Sequence, residues 1–216
     1  MFPGSSSHNK SITETKTLME QLQAKLRRLA DEFAAGEINR EQFYSIYEHY
    51  QAQLNLASAM LDEVEVGGMP TASNVETIML RKKLTAVAQS AAVYLNQGGQ
   101  LIETLGTFQV PDTVVKTTIR GIVEHMLKNG LAPEPITQQH GSEWVLYMPG
   151  RYSTVIMTFT HEPVIRQVAI VQNMHHDFET ANEAALVSGD TKAAKLVFPF
   201  VAFVKKSISG SRRPRP

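Results

Sequence analysis

Apolar residues in the first third of the chain recur every three or four positions, which is the spacing of one face of an α-helix. A first series precedes Gly36 and consists of Met19, Leu22, Leu26, Leu29 and Phe33. A second series follows Gly36 and consists of Phe43, Tyr47, Tyr50, Leu54, Ala57, Leu61 and Val64. Because glycine commonly ends helices, the pattern predicts two antiparallel helices joined by a short loop, the second longer than the first.

Local signals predict where this helical hairpin begins and ends. Ser11 and Glu14 have the spacing of a capping box, so the first helix is expected to start at Ser11 and residues 1–10 to form a disordered leader. Asn39 is the predicted N-cap of the second helix. We interpret 11–66 as the hairpin, and the surplus of the longer second stripe predicts at least a dimer.

The rest of the chain predicts a second domain after a break in helical spacing. Two glycines and a proline mark 67–73 as a linker. We interpret 74–206 as an α+β domain and 207–216 as a disordered basic tail. The expected fold class is α+β, with the N-terminal antiparallel hairpin followed by a five-stranded, mainly antiparallel sheet with flanking helices.

The elements of this second domain follow from alternation and from turn residues. The predicted helices cover 74–88, 111–129 and 177–187. The predicted strands are 91–96, 100–105, 144–148, 154–159 and 164–171, and the first two are joined through Gly98 and Gly99. Polar residues 138–141 are expected to be a connection, and the apolar run at 196–204 favours a helix broken near Pro199.

Composition removes several functional classes. The 216 residues carry 21 basic and 21 acidic side chains, so no overall field favours nucleic acid. There are no cysteines, which excludes disulfides and thiolate metal sites and fits a cytoplasmic protein. The longest apolar run, 196–204, is about half of the roughly 20 residues that a spanning helix needs, so no transmembrane segment is expected.

Candidate chemistry is sparse. His175, His176 and Asp177 form the one cluster with metal-ligand side chains, but adjacent histidines point to different sides of a helix or strand, and Asp177 is better read as a helix cap. The Gly98–Gly99 pair lacks the lysine of a phosphate loop and lies between strands. We therefore expect no catalytic residues, no metal and no cofactor.

Two stretches resemble known families. Residues 26–43 (LRRLADEFAAGEINREQF) resemble the SHOCT helical hairpin, and the likeness rests on Leu29, Gly36, Ile38, Glu41 and Phe43. Residues 74–187 resemble the roadblock/dynein-light-chain family within the profilin-like group, through the hairpin AAVYLNQGGQLIETLG and the apolar RQVAIVQ, which is expected to be a strand. The first resemblance implies oligomerisation or tethering. The second implies homodimerisation and docking of a partner, often a small GTPase, without catalysis.

Two functions follow. The first is a non-catalytic regulatory or scaffold protein that forms homo-oligomers and docks a protein partner. Its expected interface residues are Leu22, Leu29, Phe33, Tyr47, Tyr50, Leu54, Leu61, Trp144 and Tyr147. The alternative is a PAS- or GAF-like small-molecule sensor, because those folds share an antiparallel sheet with flanking helices. A sensor would hold its ligand in a cavity of several hundred Å³, lined by Tyr94, Trp144, Tyr147 and Phe159.

Overall fold

The computed structural model describes residues 5–65 and 85–204, with side chains from 12–61 and 85–204. The chain divides into two compact units, residues 1–81 and residues 82–216. The predicted linker at 67–73, most of the helix predicted at 74–88 and the predicted tail at 207–216 lie outside the described residues.

Unit 1 is a pair of antiparallel helices, α1 (Ser5–Ala34) and α2 (Arg40–Glu65). The ring centroids of Phe33 and Phe43 lie 5.4 Å apart near the turn, and the Lys25 ammonium lies 5.3 Å from the centroid of the Tyr50 ring. Gly36 takes a φ of +75°, which a side chain would disfavour. The predicted helical hairpin is therefore confirmed.

The predicted cap of α2 is also present. The Asn39 side-chain oxygen accepts a hydrogen bond from the Gln42 backbone N–H, and the Gln42 side-chain oxygen accepts one from the Asn39 N–H, both at 2.9 Å. Each residue thus satisfies an orphan donor of the other at the first turn of the helix.

Two expectations for the hairpin are wrong. Helix α1 begins at Ser5 instead of Ser11, because no glycine or proline interrupts the chain between Ser5 and Ala34, so residues 5–10 are helical. As a result α1 has 30 residues and α2 has 26, and the second helix is not the longer one. Surplus length of α2 therefore gives no reason for a dimer.

Unit 2 is built on one antiparallel sheet. Its strands are β1 (Ala88–Leu95), β2 (Leu101–Gly106), β3 (Ile136–His140), β4 (Glu143–Pro149) and β5 (Ser153–Phe159). Their order across the sheet is β2-β1-β5-β4-β3, and every neighbouring pair is antiparallel. The turn between β1 and β2 places Gly98 and Gly99 at positive φ, as predicted. The predicted fold class is confirmed.

Helices cover both faces of this sheet. The helix α3 (Asp112–Asn129) packs on one face, where its side chains Val115, Ile119 and Ile122 meet strand residues that include Tyr147. The helix α4 (Ile165–Ala181) packs on the other face and is followed by α5 (Glu183–Ser188). A short 3-10 turn (Ala193–Lys195) and a helical turn at 200–204 end the described chain.

The predicted strand 164–171 is instead the start of α4. Its valines and isoleucines favour a strand locally, but Val171, Met174 and Phe178 follow the three-four spacing of a helix and are buried. The Val164 backbone N–H donates to the Gln167 side-chain oxygen at 3.1 Å and so caps the first turn. Asp177 is consequently in the middle of the helix, where it cannot act as the predicted cap.

The fifth strand is β3, which falls on residues that we expected to be a connection. Its sequence, ITQQH, has one apolar residue and two consecutive glutamines, because an edge strand has little surface to bury. Two smaller corrections apply: Ala88 starts β1 instead of ending a helix, and Leu127 is exposed instead of buried. The chain after Pro199 is helical, as the sequence favours.

Candidate protein-interaction surface

The predicted interface residues of the hairpin mostly lie inside it. Leu22, Leu29, Tyr47, Leu54 and Leu61 are buried between α1 and α2. Phe33 and Tyr50 are half-buried. These seven side chains hold the two helices of one chain together, so contact with a second molecule would fall on side chains outside this seam.

Trp144 and Tyr147 lie on opposite faces of the sheet. Tyr147 is fully buried against α3 together with Tyr94, and its hydroxyl has no hydrogen-bond partner among the residues that the structure describes. Trp144 is half-buried on the other face, where it is paired with Phe159. The sensor cavity predicted from Tyr94, Trp144, Tyr147 and Phe159 is therefore not formed, because the sheet separates the first and third residues from the other two.

An exposed apolar surface surrounds the end of α3 and the start of β3. We call it the α3–β3 surface and define it by Leu127, Leu131 and Ile136, which are 82%, 73% and 38% exposed. Gly130 ends α3 in the left-handed conformation, with its N–H bonded to the Met126 carbonyl at 2.8 Å, so the chain turns out of the helix between the two leucines and leads on to β3. Since β3 is the last strand of the sheet, one side of its backbone meets no other strand within residues 85–204.

Sequence reasoning missed this surface, although one signal was present. Leu127 was counted with the buried side of its helix, whose central positions are Val115, Ile119, Ile122 and Met126, with Val123 partly buried at one margin. Leu127 stands about 100° round the helix from Met126 and one turn beyond Val123. It therefore lies just outside the buried stripe, and this position is the one signal that it is exposed.

A second exposed apolar region lies on the hairpin. Leu18 of α1 faces Leu56 and Met60 of α2 across a groove of about 310 Å³, which is also lined by Glu14, Thr15, Gln53 and Ala57. Leu56 and Met60 are 65% and 53% exposed. We call this region the hairpin groove. The two series used to predict the hairpin left these three residues out, because they stand beside the main stripes.

A buried polar cluster joins α4 to the turn between β4 and β5. Glu179 accepts hydrogen bonds from the backbone N–H groups of Arg151, Tyr152 and Ser153 at 2.8–2.9 Å. The Ser153 hydroxyl also lies 2.8 Å from the Glu179 carboxylate and 2.8 Å from Nε2 of His175. The single carboxylate thus satisfies the amide groups of a tight turn, which otherwise have no strand partner.

The Ser153–His175–Glu179 cluster does not have the order of a hydrolytic triad. The Ser153 hydroxyl donates to the carboxylate, so its oxygen accepts from His175, and Nε2 of that ring carries a proton. A histidine in this state cannot take a proton from the serine. Ser153 and His175 are buried. Burial lowers the pKa of His175 to about 4, although the negative charge of Glu179 acts to raise it. The cluster holds structure together.

His175 and His176 point to different sides of α4, as expected for adjacent residues: the first is buried and the second is exposed. Within 5–65 and 85–204, no three histidine or carboxylate side chains come together in a way that could hold a metal ion. None of the helices in these ranges is long and apolar enough to cross a membrane.

Comparisons with known proteins add little. No protein-family model and no curated protein matches the chain in sequence. The gliding protein MglB of Thermus thermophilus shares 14% identity with a TM-score of 0.33, over 55% of this chain and 93% of that one. A second structure, MglB with tetrameric arrangement, also shares 14% identity, with a TM-score of 0.32 over 58% and 94%. Likeness at this level carries no argument about function.

Proposed function

We propose that this chain is a non-catalytic regulatory or scaffold protein of the cytoplasm, which self-associates and docks a protein partner. The observation that carries the proposal is the α3–β3 surface. Leu127 and Leu131 expose most of their side chains, and Ile136, five residues after Leu131, begins an edge strand whose backbone groups can pair with another chain. Apolar side chains grouped on a surface favour protein contacts.

The topology of unit 2 supports the same class. From Ala88 to Ala181 the elements follow the order β-β-α-β-β-β-α, which is the order that the roadblock resemblance implies. That resemblance also implies a small GTPase as the partner. A small-molecule sensor is less well supported, because Tyr94 and Tyr147 pack into the core beneath α3.

The experiment is light scattering of the full chain over a concentration series, with Leu127→Asp as the test variant. A carboxylate in a buried apolar contact costs several kcal/mol, so the variant should lose association at the α3–β3 surface. Val187→Asp is the matched control, because Val187 is 63% exposed on a different helix and its substitution should leave the mass unchanged. An identical mass for all three proteins would contradict the proposal.

A further inference from the structure

The hairpin groove is flanked by a stripe of exposed residues on α1. Glu14, Leu18, Gln21 and Lys25 are all exposed, and their spacing of four, three and four residues places them on one side of the helix. The stripe begins with the acidic residue Glu14, has Leu18 near its centre and ends with the basic residue Lys25. A second copy of the stripe that runs in the opposite direction therefore has its basic residue level with the acidic residue of the first.

The centre of α1 lies at the height of Leu56. Helix α1 runs from Ser5 to Ala34, so its midpoint falls between residues 19 and 20. The antiparallel contacts of Lys25 with Tyr50 and of Phe33 with Phe43 set the relative height of the two helices. Counting from those contacts, Leu56 is level with the midpoint of α1, where Leu18 also contributes to the groove.

We propose that two copies of this chain pack through the hairpin groove, related by a two-fold axis that passes beside Leu56, so that the two α1 helices run antiparallel. The axis brings Leu18 and Leu56 of both copies together at the centre of a four-helix bundle. It also places Glu14 of each copy level with Lys25 of the other. An isologous contact of this kind uses the same patch twice and needs no other partner.

Charge decides the direction of packing. An axis parallel to the helices would put Glu14 level with a second Glu14 and Lys25 level with a second Lys25, and like charges repel. The antiparallel arrangement pairs opposite charges at both ends of the patch. Association with a second copy should also stabilise a unit made of two helices, because about 60 residues bury too little apolar surface for high stability alone.

This inference deepens the proposed self-association and rests on it, but it concerns a different surface. If each chain has both surfaces, the wild-type protein should be larger than a dimer at high concentration. Leu127→Asp should then leave a dimer held by the hairpins, and Leu56→Asp a dimer held by the α3–β3 surface. The double variant should be a monomer. Light scattering of the four full-length proteins measures these masses.

Disulfide trapping tests the two-fold axis directly, because the natural chain has no cysteine. Leu56→Cys should give a covalent dimer under mild oxidation, since the two Cβ atoms beside the axis can approach within about 4 Å. Ser45→Cys is the matched control on the same side of α2. It lies eleven residues from Leu56, so its two copies should be about 33 Å apart and should not cross-link.

Charge reversal tests the direction. Glu14→Lys should weaken the dimer of the Leu127→Asp background by roughly fivefold in dissociation constant, and adding Lys25→Glu should restore it. Equal trapping at positions 45 and 56, or an unchanged mass for Leu56→Asp, would overturn the hairpin contact while leaving the proposed function intact. A monomeric wild-type protein would overturn both.

Discussion

The two units solve the problem of burial in different ways. Unit 1 buries one seam of leucine and aromatic side chains between two helices and leaves a second apolar side, the hairpin groove, exposed. Unit 2 covers both faces of its sheet and, within residues 85–204, exposes apolar side chains around the start of the edge strand β3 and at other positions such as Val164, Ile165 and Val187. The comparison indicates that a two-helix hairpin exposes an apolar side of its helices, whereas a sheet covered by helices on both faces exposes its edge strand.

The units also differ in how their interiors use charge. The seam of unit 1 is held by apolar and aromatic contacts, among them the stacked rings of Phe43 and Tyr47, 5.4 Å apart. Unit 2 instead places His175 and the largely buried carboxylate of Glu179 beneath the turn between β4 and β5. Unit 2 should therefore respond to pH and to the loss of single hydrogen bonds, and unit 1 to the loss of apolar surface.

The largest effect should come from placing a charge in the seam of unit 1. Leu29 is 3% exposed, and Leu29→Asp buries a carboxylate without a partner at a cost of several kcal/mol, which should melt the hairpin. Circular dichroism should lose the helical signal of unit 1, while the fluorescence of Trp144, the only tryptophan, stays unchanged. Ala24→Asp, at an exposed position of α1, is the control. Full helicity in Leu29→Asp would refute the packing of the seam.

Acid should weaken unit 2 through His175. The pKa of this buried ring is lowered to about 4 from a usual 6.5. Between these two pH values the histidine is protonated in the unfolded chain but neutral in the folded chain. Stability is therefore complete above pH 6.5 and falls as the pH drops to about 4, by on the order of 3 kcal/mol. Urea unfolding followed by Trp144 fluorescence at several pH values measures the loss.

Two histidine variants assign this pH dependence. His175→Gln should flatten the profile between pH 6.5 and 4, because the group that titrates is gone. His176→Gln should keep the wild-type slope, because His176 is exposed on the other side of α4. Equal slopes in the two variants would show that another group causes the acid sensitivity.

A smaller effect is expected from the carboxylate of the same cluster. Glu179→Gln keeps the shape but loses the charge that receives three backbone N–H groups, and hydrogen bonds to charged groups contribute about 1.5–3 kcal/mol. Glu183→Gln is the control, since this exposed carboxylate accepts one bond from the Tyr152 hydroxyl. Its loss should cost less than about 1 kcal/mol. If both variants unfold at the same urea concentration, Glu179 does not hold the turn.

The fold was predictable where local pattern and tertiary packing agree. The three-four spacing around Gly36 predicted the hairpin, and the glycines after β1 predicted the first turn of the sheet. Prediction failed where the two disagree. The β-branched residues at 164–171 favour a strand, yet burial of Val171 and Phe178 in one interior selects a helix. The polar strand β3 has no alternation to detect, because it packs little of its surface.

The candidate surfaces were less predictable than the fold. Leu127 and Leu56 are apolar like their buried neighbours, and only their position round the helix separates exposed from buried. The Ser153–His175–Glu179 cluster has no local motif, because the serine lies 22 and 26 residues from its partners in sequence and the β5–α4 packing brings them together. Such sites become visible only when the tertiary structure is known.

The clamp of Glu179 on the turn between β4 and β5 has a consequence for the order of folding. The N–H groups of residues 151–153 reach their acceptor, Glu179, which lies 26 to 28 residues later in the chain, only when α4 has docked on the sheet. Until then a β4–β5 hairpin would leave these groups to water, and it would gain little from closing early. Strand pairing and helix docking should therefore form one cooperative step, with a single kinetic phase.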